Sequence, residues 1–234
     1  MSPPRYAIYL APPPDTPLWR FGSRVLGYDA VTGEDLHGYA PDGIDPVVWR
    51  SIAERPRTYG FHATLKAPFR LASGISLADL RNDLRAFCWA RHAFDLGPLA
   101  VTAIADNIGQ GFAAMTPMRP SPELAALEWD VVRHFDWFRA PLTAQETGAR
   151  RPDKLTERQR QSLNTLGYPF IGPDYRFHMT LTGPVRNVAA IADSLADSMA
   201  KILGSAHLRV DALVLFEQPR PGERFRVIDR FSMA

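Results

Sequence analysis

A ten-residue segment that occurs twice constrains this chain more than any other feature. Residues 59–68 read YGFHATLKAP and residues 175–184 read YRFHMTLTGP, so six of the ten positions are identical without a gap. The histidines of the two copies, His62 and His178, lie 116 residues apart. Two copies are too few for a solenoid, because such repeats need several neighbours to bury a continuous core. The repeat predicts two similar lobes.

Each copy is followed by the same order of predicted elements, a helix and then two strands. Helices are predicted over 76–91 and 187–203, where apolar residues recur at helical spacing. We expect an α+β fold with two pseudo-symmetric lobes of antiparallel strands and flanking helices around a central cleft. The whole chain, 1–234, forms one bilobal domain in this interpretation, with the lobe motifs around 59–116 and 175–232. Further helices are predicted over 16–26, 121–135 and from 156 to before Gly167, and strands over 6–10, 100–105, 111–116, 208–216 and 225–231, with a turn at Asp106, Asn107 and Gly109.

Strand alternation indicates which side chains of each copy share a face. Residues i and i+2 of a strand point to the same side of a sheet. His62, Thr64 and Lys66 therefore share one face in the first copy. His178, Thr180 and Thr182 do so in the second, at positions that match. If the lobes face each other, two imidazoles and two threonine hydroxyls meet in one cleft.

Composition excludes several classes of protein. The 27 Lys and Arg residues against 25 Asp and Glu residues give a net charge of +2, which argues against a large surface that coats nucleic acid. The one cysteine, Cys88, cannot form an internal disulfide, so an intracellular, cytoplasmic protein is expected. No segment has the roughly 20 apolar residues of a membrane span, and no signal peptide is recognisable. The sequence indicates no oligomeric state.

Two imidazoles on opposite sides of a phosphate suit acid–base catalysis, because the ordinary pKa of histidine lies near neutrality. His62 and His178 are the candidate catalytic pair. Thr64 and Thr180 are the candidate phosphate-binding residues, since hydroxyls donate to the non-bridging oxygens. The histidines lack the paired-ligand spacing of zinc sites, so neither a metal nor a cofactor is expected.

The paired His-x-Thr motifs resemble those of the two-histidine (2H) phosphoesterase superfamily. The segments RYAIY at 5–9, YGFHATLKAPF at 59–69, FRAPL at 138–142 and RFHMTLTG at 176–183 resemble, more closely, a bacterial family associated with phosphonate metabolism. The resemblance covers nearly the whole chain. It implies a bilobal two-histidine phosphoesterase-like fold and chemistry at a phosphate ester, often a cyclic one.

The function expected from these residues is that of a metal-independent phosphoric diester hydrolase. The resemblance implies that its substrate is a small, cyclic phosphodiester of phosphonate or ribose-phosphate metabolism. One alternative is an RNA end-processing enzyme, either a 2′,3′-cyclic phosphodiesterase or a 2′,5′-RNA ligase-like protein, with RNA or a nucleotide as its partner. Another is a non-catalytic module that binds a phosphorylated ligand. Which histidine is the base stays open at this point.

Other polar residues near the motifs are candidates for substrate binding, each with a structural alternative. Tyr59 and Tyr175 either stack on a ring of the substrate or pack beneath the strands. Lys66 and Thr182 either extend the phosphate site or lie at a solvated strand end. The basic candidates, which either grip a further phosphate or form a solvated surface, are Arg57, Arg176, Arg150 and Arg151.

Overall fold

Eight strands form one curled antiparallel sheet in a computed structural model, which describes residues 3–106 and 109–234. The strand order is β6-β3-β4-β5-β2-β1-β7-β8. The mixed α+β class with antiparallel strands is therefore confirmed. The strands are β1 (Arg5–Leu10), β2 (Ala63–Phe69), β3 (Phe94–Ala105), β4 (Gly111–Pro117), β5 (Met179–Thr180), β6 (Ala206–Val210), β7 (Ala212–Gln218) and β8 (Arg226–Ser232).

The helices begin where the sequence provides caps. Ser76 caps α3 in a reciprocal capping box with Asp79, and Thr156 forms the same motif with Gln159 at the start of α6. Within the described ranges the α-helices are α1 (Pro17–Leu26), α2 (Pro46–Arg57), α3 (Leu77–Trp89), α4 (Pro122–His134), α5 (Ala144–Ala149), α6 (Glu157–Leu166) and α7 (Val188–Leu203). Across those ranges no helix is both long and apolar enough to cross a membrane.

One predicted strand needs correction, and one helix was not predicted. The apolar run over 208–216 is not one strand, because the chain breaks it at Asp211 into β6 and β7, which pair with β3 and β1 respectively. Asp211 forms an ion pair with Arg230 at 2.5 Å, and its carbonyl accepts a hydrogen bond from the Met233 amide. Helix α2 is absent from the sequence prediction. The predicted turn residue Asn107 lies outside the described residues. The Gly109 amide donates a backbone hydrogen bond to the Asp106 carbonyl across that connection.

The two motif strands, β2 and β5, lie side by side at the centre of the sheet. Ala63, Leu65, Met179 and Leu181 are all buried, and together they carry the apolar side of both motifs into the core. Four strands lie in each half of the sheet, β2-β1-β7-β8 on one side and β5-β4-β3-β6 on the other. After the first motif strand, β2, the chain forms β3 and β4 in the half that contains β5. After the second, β5, it forms β6 in the same half as β5, and then β7 and β8 in the half that contains β2. The division of the chain into lobes around 59–116 and 175–232 stays a prediction.

Candidate functional site

The register between β2 and β5 brings the two His-x-Thr motifs together. Ala63 lies opposite Met179 in an antiparallel pair. Continuing that register by one residue on each side places His62 opposite Thr180 and Thr64 opposite His178. Directly opposed residues share a face and have Cβ atoms about 5 Å apart. Two imidazoles and two hydroxyls therefore form one diagonal cluster.

One side of the cluster borders an open cleft of about 360 Å³, whereas Thr64 and His178 are not part of its lining. His62 and Thr180 both lie in its wall, and no acidic side chain of the described part of the chain lines it. A cleft of this size falls in the range of small-molecule sites. The lining consists of Arg55, Pro56, Tyr59, Gly60, His62, Phe112, Thr180, Thr182, Gly183 and Pro184.

His62 is held in one tautomer. Its Nδ1 lies 2.9 Å from the Gly60 carbonyl oxygen, which can only accept, so we assign the ring proton to Nδ1. Nε2 is then the ring's proton acceptor, 3.3 Å from the Thr64 hydroxyl. The Tyr9 ring stacks on the imidazole with centroids 3.7 Å apart.

Burial lowers the pKa of His62 to about 4. The bond to the Gly60 carbonyl opposes this shift, and the nearby charge of His178 adds a smaller lowering. His62 is therefore neutral at pH 7, and its Nε2 lone pair is available to accept a proton.

His178 repeats the same local geometry. Its Nδ1 lies 2.8 Å from the Arg176 carbonyl oxygen, again two residues earlier in the chain. We assign the proton to Nδ1 here too, which leaves Nε2 free on the second ring. Phe112, which also lines the cleft, packs beside this ring with centroids 5.6 Å apart.

The two candidate tyrosines occupy different places. Tyr59 lines the cleft, 6.3 Å from the His62 ring between centroids, and stacks on Phe225. Tyr175 borders a separate groove of about 460 Å³ together with Arg176. Its buried hydroxyl has no hydrogen-bond partner among the described residues. Burial, and secondarily the carboxylate of Glu128, raise its pKa well above the ordinary value.

Lys66 and Thr182 make internal contacts. Lys66 is buried and donates to the Val132 carbonyl at 3.0 Å and to Asp136 at 3.1 Å. Burial lowers its pKa to about 8, while the Asp136 carboxylate opposes that shift. Thr182 borders the cleft, but its buried hydroxyl accepts a hydrogen bond from the Ala113 amide at 2.9 Å. Strand alternation alone did not predict these partners.

The arginines near the motifs are also separated by the fold. Arg57 is buried, pairs with Asp35 at 2.5 Å and lines a different cavity, on another side of α2. The Arg150 guanidinium lies over the Tyr168 ring, 5.0 Å from its centroid. Arg151 is exposed and has a left-handed backbone conformation, φ 51°, just before a short 3-10 helix. None of these three arginine side chains lines the His62 cleft.

Several residues of the site were missed by sequence reasoning, among them Phe112, Tyr9 and Arg55. Tyr9 lies opposite Thr64 in the β1–β2 pair, which explains how its ring reaches His62. Arg55 lines the cleft from the last turn of α2. The signal for α2 was present, because Asp45 caps the helix and Pro46 takes its first position.

The chain resembles two curated proteins along most of its length. It is 36% identical over 226 residues to "Ribose 1,5-bisphosphate phosphokinase PhnN" of Janthinobacterium sp. (strain Marseille), which covers 94% of this chain and 49% of that protein. It is 34% identical over 225 residues to the protein of the same name from Laribacter hongkongensis (strain HLHK9), covering 95% of the chain and 50% of the relative. The chain thus spans about half the length of the curated relatives it matches.

These names overturn the predicted reaction. Both relatives are named as a kinase, which transfers a phosphoryl group, whereas the sequence analysis predicted a phosphoric diester hydrolase. The assignments as hydrolase and phosphodiesterase are therefore wrong, and neither the RNA end-processing alternative nor the non-catalytic binding module fits the names better. The histidines and threonines did not determine the reaction type. An acid and a base on either side of a phosphate can serve hydrolysis or transfer to another acceptor, so the residues alone do not identify the reaction. A small phosphorylated substrate is compatible with the relatives' name.

The chain also matches a protein family over most of its length. The family described as "Protein of unknown function (DUF1045)" matches residues 64–226, which include Thr64 and the whole second motif. The match covers more than half of the chain. The chain therefore belongs to the DUF1045 family.

Proposed function

We propose that this chain takes part in phosphoryl transfer on ribose 1,5-bisphosphate, or on a closely related ribose phosphate, and that the His62 cleft holds the sugar phosphate. The observation that carries the proposal is the pairing of Ala63 with Met179, which clusters both His-x-Thr motifs on one face. The substrate class comes from the name of the two relatives. The expected association with phosphonate metabolism is part of the same proposal.

In this proposal the two histidines have different tasks. His62 is the proton acceptor, because it is neutral at pH 7 and its Nε2 is unprotonated. It takes the proton of the acceptor oxygen as that oxygen bonds to phosphorus, and the bond from phosphorus to the leaving oxygen of a nucleoside triphosphate breaks. His178 acts in the form that is protonated at both ring nitrogens: Nδ1 keeps its hydrogen bond to the Arg176 carbonyl, and the Nε2 proton passes to that leaving oxygen. Thr64 and Thr180 donate hydrogen bonds to the phosphate oxygens between them.

The site for the phosphoryl donor, the nucleoside triphosphate, is distinct from the site for the sugar phosphate. The chain has three lysines, Lys66, Lys154 and Lys201, and none follows a glycine. The sequence therefore does not contain G-x-x-x-x-G-K-[ST], the glycine-rich loop that cradles nucleotide phosphates in many kinases. We propose that this chain contributes the site for the ribose phosphate and accepts the phosphoryl donor beside it without that loop.

The fold supports a relation to the two-histidine superfamily as a further part of the proposal. Each half of the sheet contributes one His-x-Thr strand at the centre, and the two strands meet as neighbours. The superfamily relation concerns the fold and the position of the histidines. It carries no hydrolytic activity over to this chain.

Valine substitutions at the two threonines test whether the cleft binds the sugar phosphate. Thr64→Val and Thr180→Val keep the shape and the strand preference of the side chain but remove the hydroxyl. Because a hydrogen bond to a charged group contributes about 1.5–3 kcal/mol, each variant is expected to weaken binding of ribose 1,5-bisphosphate roughly 10- to 100-fold. Isothermal titration calorimetry measures this, with Thr165→Val on α6 as the control that retains wild-type affinity. Wild-type affinity in both cleft variants would rule out phosphate binding by these hydroxyls.

A further inference from the structure

Arg55 has a fixed position beside the histidine cluster. The Gly183 amide, in the segment that follows β5, donates a hydrogen bond to the Ile52 carbonyl of α2 at 2.8 Å. A Cβ atom at Gly183 would lie 2.9 Å from that oxygen, so the close approach needs glycine. This contact docks the last turn of α2 against the segment that carries Thr180. Arg55 then lines the same cleft as His62 and Thr180.

Arg55 also differs from its neighbour Arg57 in its charge partners. Arg57 is paired with Asp35, a carboxylate that Arg224 shares. Arg55, in contrast, has no ion pair with any described residue, and its side chain is exposed to solvent. The cleft therefore has one guanidinium in its wall that no carboxylate of the described ranges neutralises. A guanidinium binds a phosphate through two parallel hydrogen bonds, which makes arginine suited to this ligand.

We infer that Arg55 forms a second phosphate subsite, so that the cleft selects a sugar carrying two phosphate groups over one carrying a single phosphate. This inference rests on the proposed function, in which Thr64 and Thr180 bind the first phosphate. Tyr59 lies in the cleft wall between α2 and His62, where its ring can cover the sugar. The second phosphate then reaches Arg55. Arg57 is one of the four arginines that the sequence offers as candidates for a further phosphate, and it lines a different cavity.

The inference is tested by comparing two ligands on matched variants. Isothermal titration calorimetry measures ribose 1,5-bisphosphate and ribose 5-phosphate binding to wild type, Arg55→Gln and Arg50→Gln. Arg50 lies on the same helix, is exposed and is absent from the lining of this cleft, so its replacement removes the same charge elsewhere on α2. Arg55→Gln is expected to weaken binding of the bisphosphate roughly 10- to 100-fold and to leave binding of the monophosphate within a factor of two, because one charge-assisted contact is lost. Arg50→Gln is expected to bind both ligands like wild type.

Five results would overturn the inference. Unchanged bisphosphate affinity in Arg55→Gln would remove Arg55 from the site. An equal loss in Arg55→Gln and Arg50→Gln would show a general effect of charge. A third variant, Arg150→Gln, tests the other candidate cation, which lies over the Tyr168 ring. If Arg150→Gln loses the preference for the bisphosphate over the monophosphate and Arg55→Gln keeps it, the second phosphate binds at Arg150. Wild type that binds neither ligand would refute the proposed function itself, whereas wild type that binds both ligands equally would refute only the second subsite.

Discussion

Replacing either His62 or His178 with alanine is expected to lower the rate of the proposed phosphoryl transfer to ribose 1,5-bisphosphate by roughly 10²- to 10⁴-fold, the usual contribution of a positioned acid or base. The reason is the shared geometry of the two rings. A carbonyl two residues earlier holds each Nδ1, so each ring directs Nε2 to the reaction. The double variant is expected to lose less than the product of the single effects, because groups that act as one unit are not additive.

Steady-state kinetics with a nucleoside triphosphate as donor measures this effect. The matched control is His207→Ala on the edge strand β6, where the side chain is exposed. The control is expected to retain wild-type turnover. Full turnover in either cleft variant, or an equal loss in the control, would contradict the assignment of these histidines.

Alanine at Gly22 is expected to lower the free energy of unfolding by about 3 kcal/mol, at the upper end of the usual cost of overpacking a core. A Cβ atom at this position of α1 would overlap the ring of Phe61, which is fully buried. Phe61 immediately precedes His62, so any shift that relieves the overlap also moves the imidazole. We therefore expect Gly22→Ala to weaken ligand binding as well as stability.

Urea denaturation of matched variants tests this packing. Gly148→Ala on α5 is the control, because a Cβ atom there meets nothing within 4 Å. It is expected to be neutral or to stabilise by up to about 1 kcal/mol. Adding Phe61→Leu to Gly22→Ala is expected to restore part of the lost stability, since the smaller side chain makes room for the new methyl group. Equal stability of Gly22→Ala and wild type would show that α1 does not pack on Phe61 in this way.

Strand alternation predicted the four central residues of the site, because period-two geometry is local and the repeat shows it twice. It placed His62 with Thr64 and His178 with Thr180. It could not give the register that joins the two pairs, since Ala63 and Met179 are far apart in the chain. It also could not show that Lys66 lies beneath α4, where Asp136 and the Val132 carbonyl take its charge.

The arginines show how one missed helix changes the predicted site. Without α2, nothing in the sequence separated Arg55 from Arg57, and nearness to the motif favoured Arg57. Helical geometry directs residues two positions apart to different sides. Arg55 therefore faces the cleft, while Arg57 forms an ion pair with Asp35. A break at Asp211 likewise sends two parts of one apolar run to distant places in the sheet.

The reaction was the least predictable feature. The residues indicated proton transfer around a phosphate, and the structure places those residues together. Neither fact specifies whether water or another acceptor attacks phosphorus, because the same acid and base serve both reactions. The names of the relatives corrected this point, although they describe proteins about twice as long as this chain.

The central claim is that both histidines belong to one site that binds a ribose phosphate. The most direct test is ¹⁵N NMR of histidine-labelled protein, recorded while ribose 1,5-bisphosphate is added. We predict that the Nε2 signals of His62 and His178 shift together, with the same midpoint concentration of ligand, and that both Nδ1 atoms carry the proton in the neutral rings. We also predict that His62 of the free protein takes up its second proton only near pH 4. Ligand binding that shifts one ring and not the other, or neither ring, would contradict a shared site.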